Sequence, residues 1–252
     1  MRVIVSETPE ELGQKVAEHV ARLLNEAIEK NGEARWLMST GASQFTSLEA
    51  LLKMNVDWTK VEAFHLDEYI GITSDHPASF VKYLKERVAS KVQLKAFHFV
   101  DVSIGIDQII KKLTEEVSEK QVDVGLIGIG ENAHIAFNDP PADFTDTSSF
   151  KVVQLDEACR KQQLGEGWFP SLDDVPHTAI TMTVSQIMKC RSIVSAVPYA
   201  VKAKAIQETL AAEKPDPMVP ASILKTHPDI VLYIDKGSAS LSSEELLKRY
   251  TS

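Results

Sequence analysis

Short runs of β-branched and aliphatic residues alternate along the chain with longer stretches whose apolar positions recur every three or four residues. RVIVS, ARWLMS, VEAFHL, KAFHFV, DVGLIGI, RSIVSAV and DIVLYI read as strands. Between and after them, TPEELGQKVAEHVARLLNEAIEKNG, QFTSLEALLKM, PASFVKYLKERVA, IGIDQIIKKLTEEVSEK, YAVKAKAIQETLAA and SSEELLKRY read as helices. The first helix carries its own boundary marks. Thr8 stands at the N-cap, Pro9 at the first helical position and Gly32 at the end. Such alternation predicts an α/β fold, a doubly wound, mostly parallel sheet with helices on both faces, Rossmann-like in outline. DVGLIGI is apolar throughout, as a strand covered on both faces must be. No internal repeat or low-complexity linker interrupts the pattern, so one domain is expected over residues 1–252. The exception is the stretch from about Asp156 to His177, containing GEGWFP and SLDDVP, which reads as a long irregular loop and so as a lid.

In open α/β sheets ligands bind beyond the carboxyl ends of the strands. That directs attention to STGAS, DEYIG, GENAHIAFND and PYAVKAK, each of which follows a strand. In IGIGENAHIAFNDP, Gly128-x-Gly130-x-x-Ala133 has the outline of a dinucleotide fingerprint. That fingerprint needs a helix opening at its last small residue, where the dipole faces the pyrophosphate. HIAFNDPPADF leaves room for barely one turn before paired prolines, and the nucleotide reading is set aside.

STGAS can hold an anion. Gly41 permits close backbone approach, and Thr40 and Ser43 add hydroxyls to the free N–H groups of a helix start, although the same turn serves as an ordinary N-cap. Lys202 and Lys204 follow another strand and can bring a cation, or lie as solvated helix charges. Asp67 and Glu68 follow an apolar strand, where rigid backbone and partial desolvation raise a carboxylate's basicity; a surface turn is the plainer reading. His134 lies between Asn132 and Asp139. Either can partner one ring nitrogen and fix the tautomer, leaving the other to move protons.

Taken together, LMSTGAS, FHLDEYIG, LIGIGENAHIAFNDP and KAKAIQ resemble, in order, the motifs of the glucosamine-6-phosphate deaminase (isomerase) family. The related 6-phosphogluconolactonases share that fold but differ after the histidine and lack the DEY segment. The resemblance implies conversion of glucosamine 6-phosphate and water to fructose 6-phosphate and ammonia, in amino-sugar catabolism, without cofactor or metal. It implies that Asp67 shuttles the proton between C2 and C1 and that His134 opens the ring. Asp139 and Asn132 would orient and tune the imidazole, while Thr40, Gly41, Ala42, Ser43, Gly128 and Lys202 hold the phosphate. The chain departs from the family in having Asn132-Ala133 in place of Asp-Gly, and Asp139 in place of Glu. The second change moves a carboxylate by about 1.5 Å, one methylene. Galactosamine-type relatives tolerate a non-acidic residue at the position of Asn132, which makes galactosamine 6-phosphate the alternative substrate. A lid arginine used by some members for phosphate is missing from GEGWFPSLDDVP, with Arg160 nearby; of the residues that bind allosteric amino sugars only Lys151 fits.

Composition narrows the alternatives. A formal charge of −9 argues against a nucleic-acid groove or an anionic membrane surface as partner, and against a DNA-binding regulator. No apolar run has spanning length, and MRVIVSETPEELGQ lacks a signal-peptide core. Cys159 and Cys190 make neither a metal-type pair nor a disulfide framework. A cytoplasmic enzyme of a small-molecule amino-sugar phosphate is expected, as a monomer or a homo-oligomer. A lactone hydrolase with His134 as base for water, and no need of Asp67, remains the second reading.

Overall fold

The computed structural model describes residues 1–165 and 167–251. Its strands are β1 (Arg2–Ser6), β2 (Ala34–Met38), β3 (Val61–His65), β4 (Asp67–Tyr69), β5 (Ala96–His98), β6 (Val124–Ile127), β7 (Phe150–Gln154), β8 (Thr178–Met182), β9 (Ser192–Val197) and β10 (Ile230–Asp235). Helices are α1 (Pro9–Asn31), α2 (Phe45–Leu51), α3 (Phe80–Leu84), α4 (Ile106–Ser118), α5 (Glu157–Gly165), α6 (Val184–Ile187), α7 (Ala203–Ala211), α8 (Lys236–Ala239) and α9 (Glu244–Lys248). Helix α1 starts and stops where its sequence signals it. Thr8 accepts from Glu11 N, and Gly32, left-handed at φ 80°, donates its N–H to Ile28 O.

A seven-stranded sheet runs in the order β1-β10-β9-β6-β2-β3-β5, with every pairing parallel. Strands β2, β6, β9 and β10 are buried at every position. Successive residues feed opposite cores: Leu37, Phe64, Ile127 and Leu232 pack on one side, Trp36, Met38, Leu126 and Val231 on the other. The chain enters the sheet at an edge and then reaches its middle at β2, from which β3 and β6 lie on opposite sides. The crevice at such a switch point, beyond the carboxyl ends of β2 and β6, is where this architecture binds ligands.

The second sheet was not expected. Strands β4-β8-β7 pair antiparallel, with Asp67 opposite Thr181. DEY, read from its acidic pair as a turn, is therefore a buried strand. The Asp156–His177 stretch also differs from expectation, apart from position 166, which lies outside the described residues. Nine of its residues form α5, with Cys159, Arg160 and Gln163 on the buried side. Polar residues on the inner face hide the helical periodicity. Cys159, Phe169 and Val175 join Tyr69, Phe137 and Ala179 in a small third core. Among the described residues no helix is long and apolar enough to cross a membrane.

Candidate active site

A cleft beyond β2, β4 and β6 is lined by Ser39, Thr40, Gly41, Ser43, Asp67, Gly128, Gly130, His134, Gln162, Gln163 and Lys202, among others. The β2 turn is held from both sides. Ser39 donates its N–H to Leu126 O, and its hydroxyl accepts from Gly128 N at 2.9 Å. Gly41 sits at φ 96°, a conformation that favours glycine and turns the chain into the short helix Ala42–Gln44. Of the residues expected to hold an anion, Thr40, Gly41, Ser43, Gly128 and Lys202 line the cleft, whereas Ala42 does not. Lys202 is buried; Lys204 is exposed and pairs with Glu208 at 3.7 Å, so only the first lies at the site.

The glycines of the rejected dinucleotide fingerprint have a different use here. A Cβ on Gly130 would stand 2.2 Å from Nε2 of His134, so the imidazole packs where any side chain would collide. The turn that follows is clamped to the antiparallel sheet. Asn138 donates to Ile135 O and Met182 O, and Phe137 donates its N–H to Thr181 Oγ1. This brings His134 and Asp67, sixty-seven positions apart in the chain, into the same cleft.

His134 Nδ1 lies 3.1 Å from Asp139 Oδ1, with both side chains about nine-tenths buried. Asn132 takes another place than the one expected. Its Nδ2 donates to Asp139 Oδ1 at 3.1 Å, and its Oδ1 accepts from the backbone N–H of His134, so it braces the turn rather than a ring nitrogen. Burial pushes the Asp139 carboxyl up, but its contacts with His134, Asn132 and Cys159 outweigh that and hold it below the usual carboxylate range.

Asp67 is the opposite case. Burial, and then the charges of Glu68 and Asp139, push its carboxyl up to about 8 against the partial relief of the Phe137 N–H. Glu68 next to it is wrapped: it accepts from Tyr69 N, Ser79 Oγ, Phe80 N and Val81 N. It ties β4 to the start of α3 and does not line the cleft.

Helix α5 supplies residues that sequence reasoning did not single out. Gln162 accepts from Glu131 N, Gln163 accepts from Tyr69 O–H, and both line the cleft. Arg160 is buried and donates to Val175 O and Leu172 O, holding its own segment together instead of reaching toward an anion. Lys151 is engaged with Asp146 at 3.2 Å. No sequence spacing announced a metal cluster, yet the fold brings the ligand-type atoms of His134, Asp139 and Cys159 within 4.8 Å of one another.

Fold and cleft together define a class: an open α/β protein with an anion-competent turn at its switch point and buried acid–base groups beside it. The family profile of glucosamine-6-phosphate isomerases/6-phosphogluconolactonase matches residues 7–232, and the chain belongs to this family. It is 32% identical to a glucosamine-6-phosphate deaminase of Thermoanaerobacter pseudethanolicus, over 98% of both chains. A Bacillus cereus protein of the same name is 29% identical over 98% of this chain and 91% of its own. The fold superimposes on a solved monomeric glucosamine-6-phosphate deaminase with a TM-score of 0.86 at 29% identity, covering 96% of this chain and all of that one. A 6-phosphogluconolactonase from Thermotoga maritima shares the fold at 17% identity and a TM-score of 0.76, covering 93% of this chain and 99% of its own.

Proposed function

We propose that the chain converts glucosamine 6-phosphate and water to fructose 6-phosphate and ammonia. The observation that carries this reading is the buried Asp67 carboxyl, with its affinity for a proton raised to about 8, in one cleft with His134, whose Nδ1 is paired with Asp139. Glucosamine-6-phosphate deaminases among the relatives, 29–32% identical over nearly the whole chain, support it, whereas the lactonase shares only the fold.

The chemistry needs two separated acid–base groups, because the C2 proton becomes removable only once the ring is open. In this reading the phosphate seats on Thr40, Gly41, Ser43, Gly128 and Lys202. His134, with Nδ1 held by Asp139, passes the anomeric hydroxyl proton to the ring oxygen. Asp139 balances the charge on the imidazolium, and Asn132 keeps the turn in register. Asp67 takes the proton from C2, giving an enolamine, and returns it at C1, giving a ketose imine. Water adds at C2 and ammonia leaves. A base with a proton affinity near 8 is strong enough to take a carbon-bound proton and still partly ionised at neutral pH.

The same reading gives a small-molecule substrate and a cytoplasmic setting, with no nucleic-acid or membrane partner. Every group named comes from one chain, so a monomer suffices. The domain spans 1–252 with 156–177 as a lid; substrate is then expected to change Trp168 fluorescence, and an unchanged signal together with unchanged proteolysis of the segment would make it a static loop. The decisive assay is release of ammonia and ketose phosphate from glucosamine 6-phosphate and galactosamine 6-phosphate, with wild type and Asp67→Asn. Turnover of neither sugar, or an undiminished Asp67→Asn, overturns the proposal.

A further inference from the structure

We propose that His134, Asp139 and Cys159 form an inhibitory site for a thiophilic divalent cation of the Zn²⁺ type. Imidazole, carboxylate and thiol are a donor set that suits such an ion, and three protein ligands leave its fourth position to water. The three donor atoms lie within 4.8 Å of one another. Zinc bonds of about 2.0–2.3 Å place ligand atoms roughly 3.3–3.7 Å apart, so the widest pair has to close by at most about 1.5 Å. Cys159 is carried on α5, and His134 and Asp139 on the turn after β6, so none of the three is fixed in the main sheet.

A second observation points to a cation independently of the spacing. Asp139 Oδ2 is buried without a hydrogen-bond partner, and the Asp139 side chain is only 9% exposed. Buried polar atoms are ordinarily satisfied, and an orphaned carboxylate oxygen beside an imidazole and a thiol is an arrangement that a metal completes. Asp139 and Asp156 also place negative charge beside the Cys159 thiol. Asp139 also lines a second cavity, together with Asp143, Lys151 and Asp156.

Binding balances simply. The Cys159 thiol gives its proton to solvent and its sulfur lone pair to the metal, while the imidazole carries its remaining proton on Nε2. With Nδ1 on the metal and Nε2 as N–H, the ring can no longer accept a proton from a sugar hydroxyl. The inhibition, though not the binding, rests on the role proposed for His134 above.

Co²⁺ alone is the direct probe, because a four-coordinate cobalt–thiolate centre shows a near-ultraviolet charge-transfer band. Wild-type protein is expected to bind one Co²⁺ with that band, to lose it on adding Zn²⁺, and to lack it in Cys159→Ser and Cys159→Ala. Cys190→Ser serves as the control that keeps it. Zn²⁺ is expected to suppress wild-type turnover reversibly, with chelator restoring the rate. In Cys159→Ser the zinc concentration for half-inhibition, measured against that variant's own metal-free rate, should rise by at least about tenfold. Absence of the band in wild type, its persistence in both Cys159 variants, or a bound metal without inhibition overturns the proposal. If wild type turns over neither sugar, the deaminase reading fails and the cobalt spectrum still decides the site.

Discussion

At the end of the cleft formed by β2, Ser39 fixes the turn to β6 through both its backbone N–H and its hydroxyl. Ser39 bridges β2 to Gly128, and Gly41 turns the chain without side-chain strain. At the end formed by β4 and the long turn after β6, one buried carboxyl pairs with a histidine and a second, lining the same cleft as that histidine, is held far from its ordinary proton affinity. The first end is suited to holding a fixed charge and gains from being rigid. The second keeps an unfavourable carboxylate in place, which is what a carbon acid requires and what the fold's stability opposes. Binding and proton transfer thus differ in their relation to stability, although they share one cleft.

The sharpest break in that comparison is Asp67→Asn. It removes the base, and kcat should fall by about 10²–10⁴-fold. The same change should raise the melting temperature. Below about pH 4 both folded and unfolded chains keep the Asp67 proton; from there to about pH 8 the unfolded chain releases it while the folded chain retains it, so stability declines as pH rises. Asn carries no such penalty, and its advantage in thermal melts should be larger at pH 8 than at pH 5. In wild type, kcat/KM should climb with pH toward 8 and then level. A variant that is inactive and also less stable at pH 8 would remove the contrast between the two ends.

Lys202→Met probes the other end. Losing a charge-assisted contact to phosphate, worth about 1.5–3 kcal/mol, should raise KM by roughly 10–100-fold with a smaller change in kcat. A fall in kcat at unchanged KM would place Lys202 in the proton chemistry instead.

Glu68→Gln sharpens the comparison within β4 itself. Four donors converge on that carboxylate. An amide can accept on only one atom, and a donor left unmatched costs about 1–3 kcal/mol. At about 2–4 °C per kcal/mol for a chain of this size, the melting temperature should drop by several degrees, with KM little altered. Adjacent acidic residues would then respond in opposite directions, Asp67 gaining stability and Glu68 losing it.

The parallel sheet was legible because strands such as DVGLIGI and RSIVSAV are apolar on both faces, a pattern that needs no partner to be read. The antiparallel sheet was not. DEY carries two charges, and FKVVQ alternates against neighbours that only the fold supplies. Segment α5 hid for a related reason: Arg160 and Gln163 face inward, where a periodicity argument looks for aliphatics. His134 and Asp139 could be paired from the sequence because they share one turn. Gln162, Gln163 and Cys159 could not, since their relation to that turn exists only through tertiary packing.

The smallest effect belongs to Ala133, which stands where the family resemblance has glycine. Its φ is 64°, in the left-handed region, and its methyl is fully buried in the core beside the sheet. Left-handed backbone disfavours alanine by roughly 1–2 kcal/mol. Against this, glycine loses about 0.4–1 kcal/mol through the freer unfolded chain, and the buried methyl contributes about 0.8 kcal/mol. These terms nearly cancel, so Ala133→Gly should shift the melting temperature by no more than about 2–4 °C, the equivalent of 1 kcal/mol. A larger gain would mean that strain in the His134 turn is held in place by the core, and a larger loss that the methyl's packing positions the turn. Because Asn132 and His134 flank this residue, kcat measured on the same variant tells whether the turn tolerates that freedom. An unchanged kcat would show that the contacts of Asn132, Asn138 and Asp139 keep the histidine in register without the methyl.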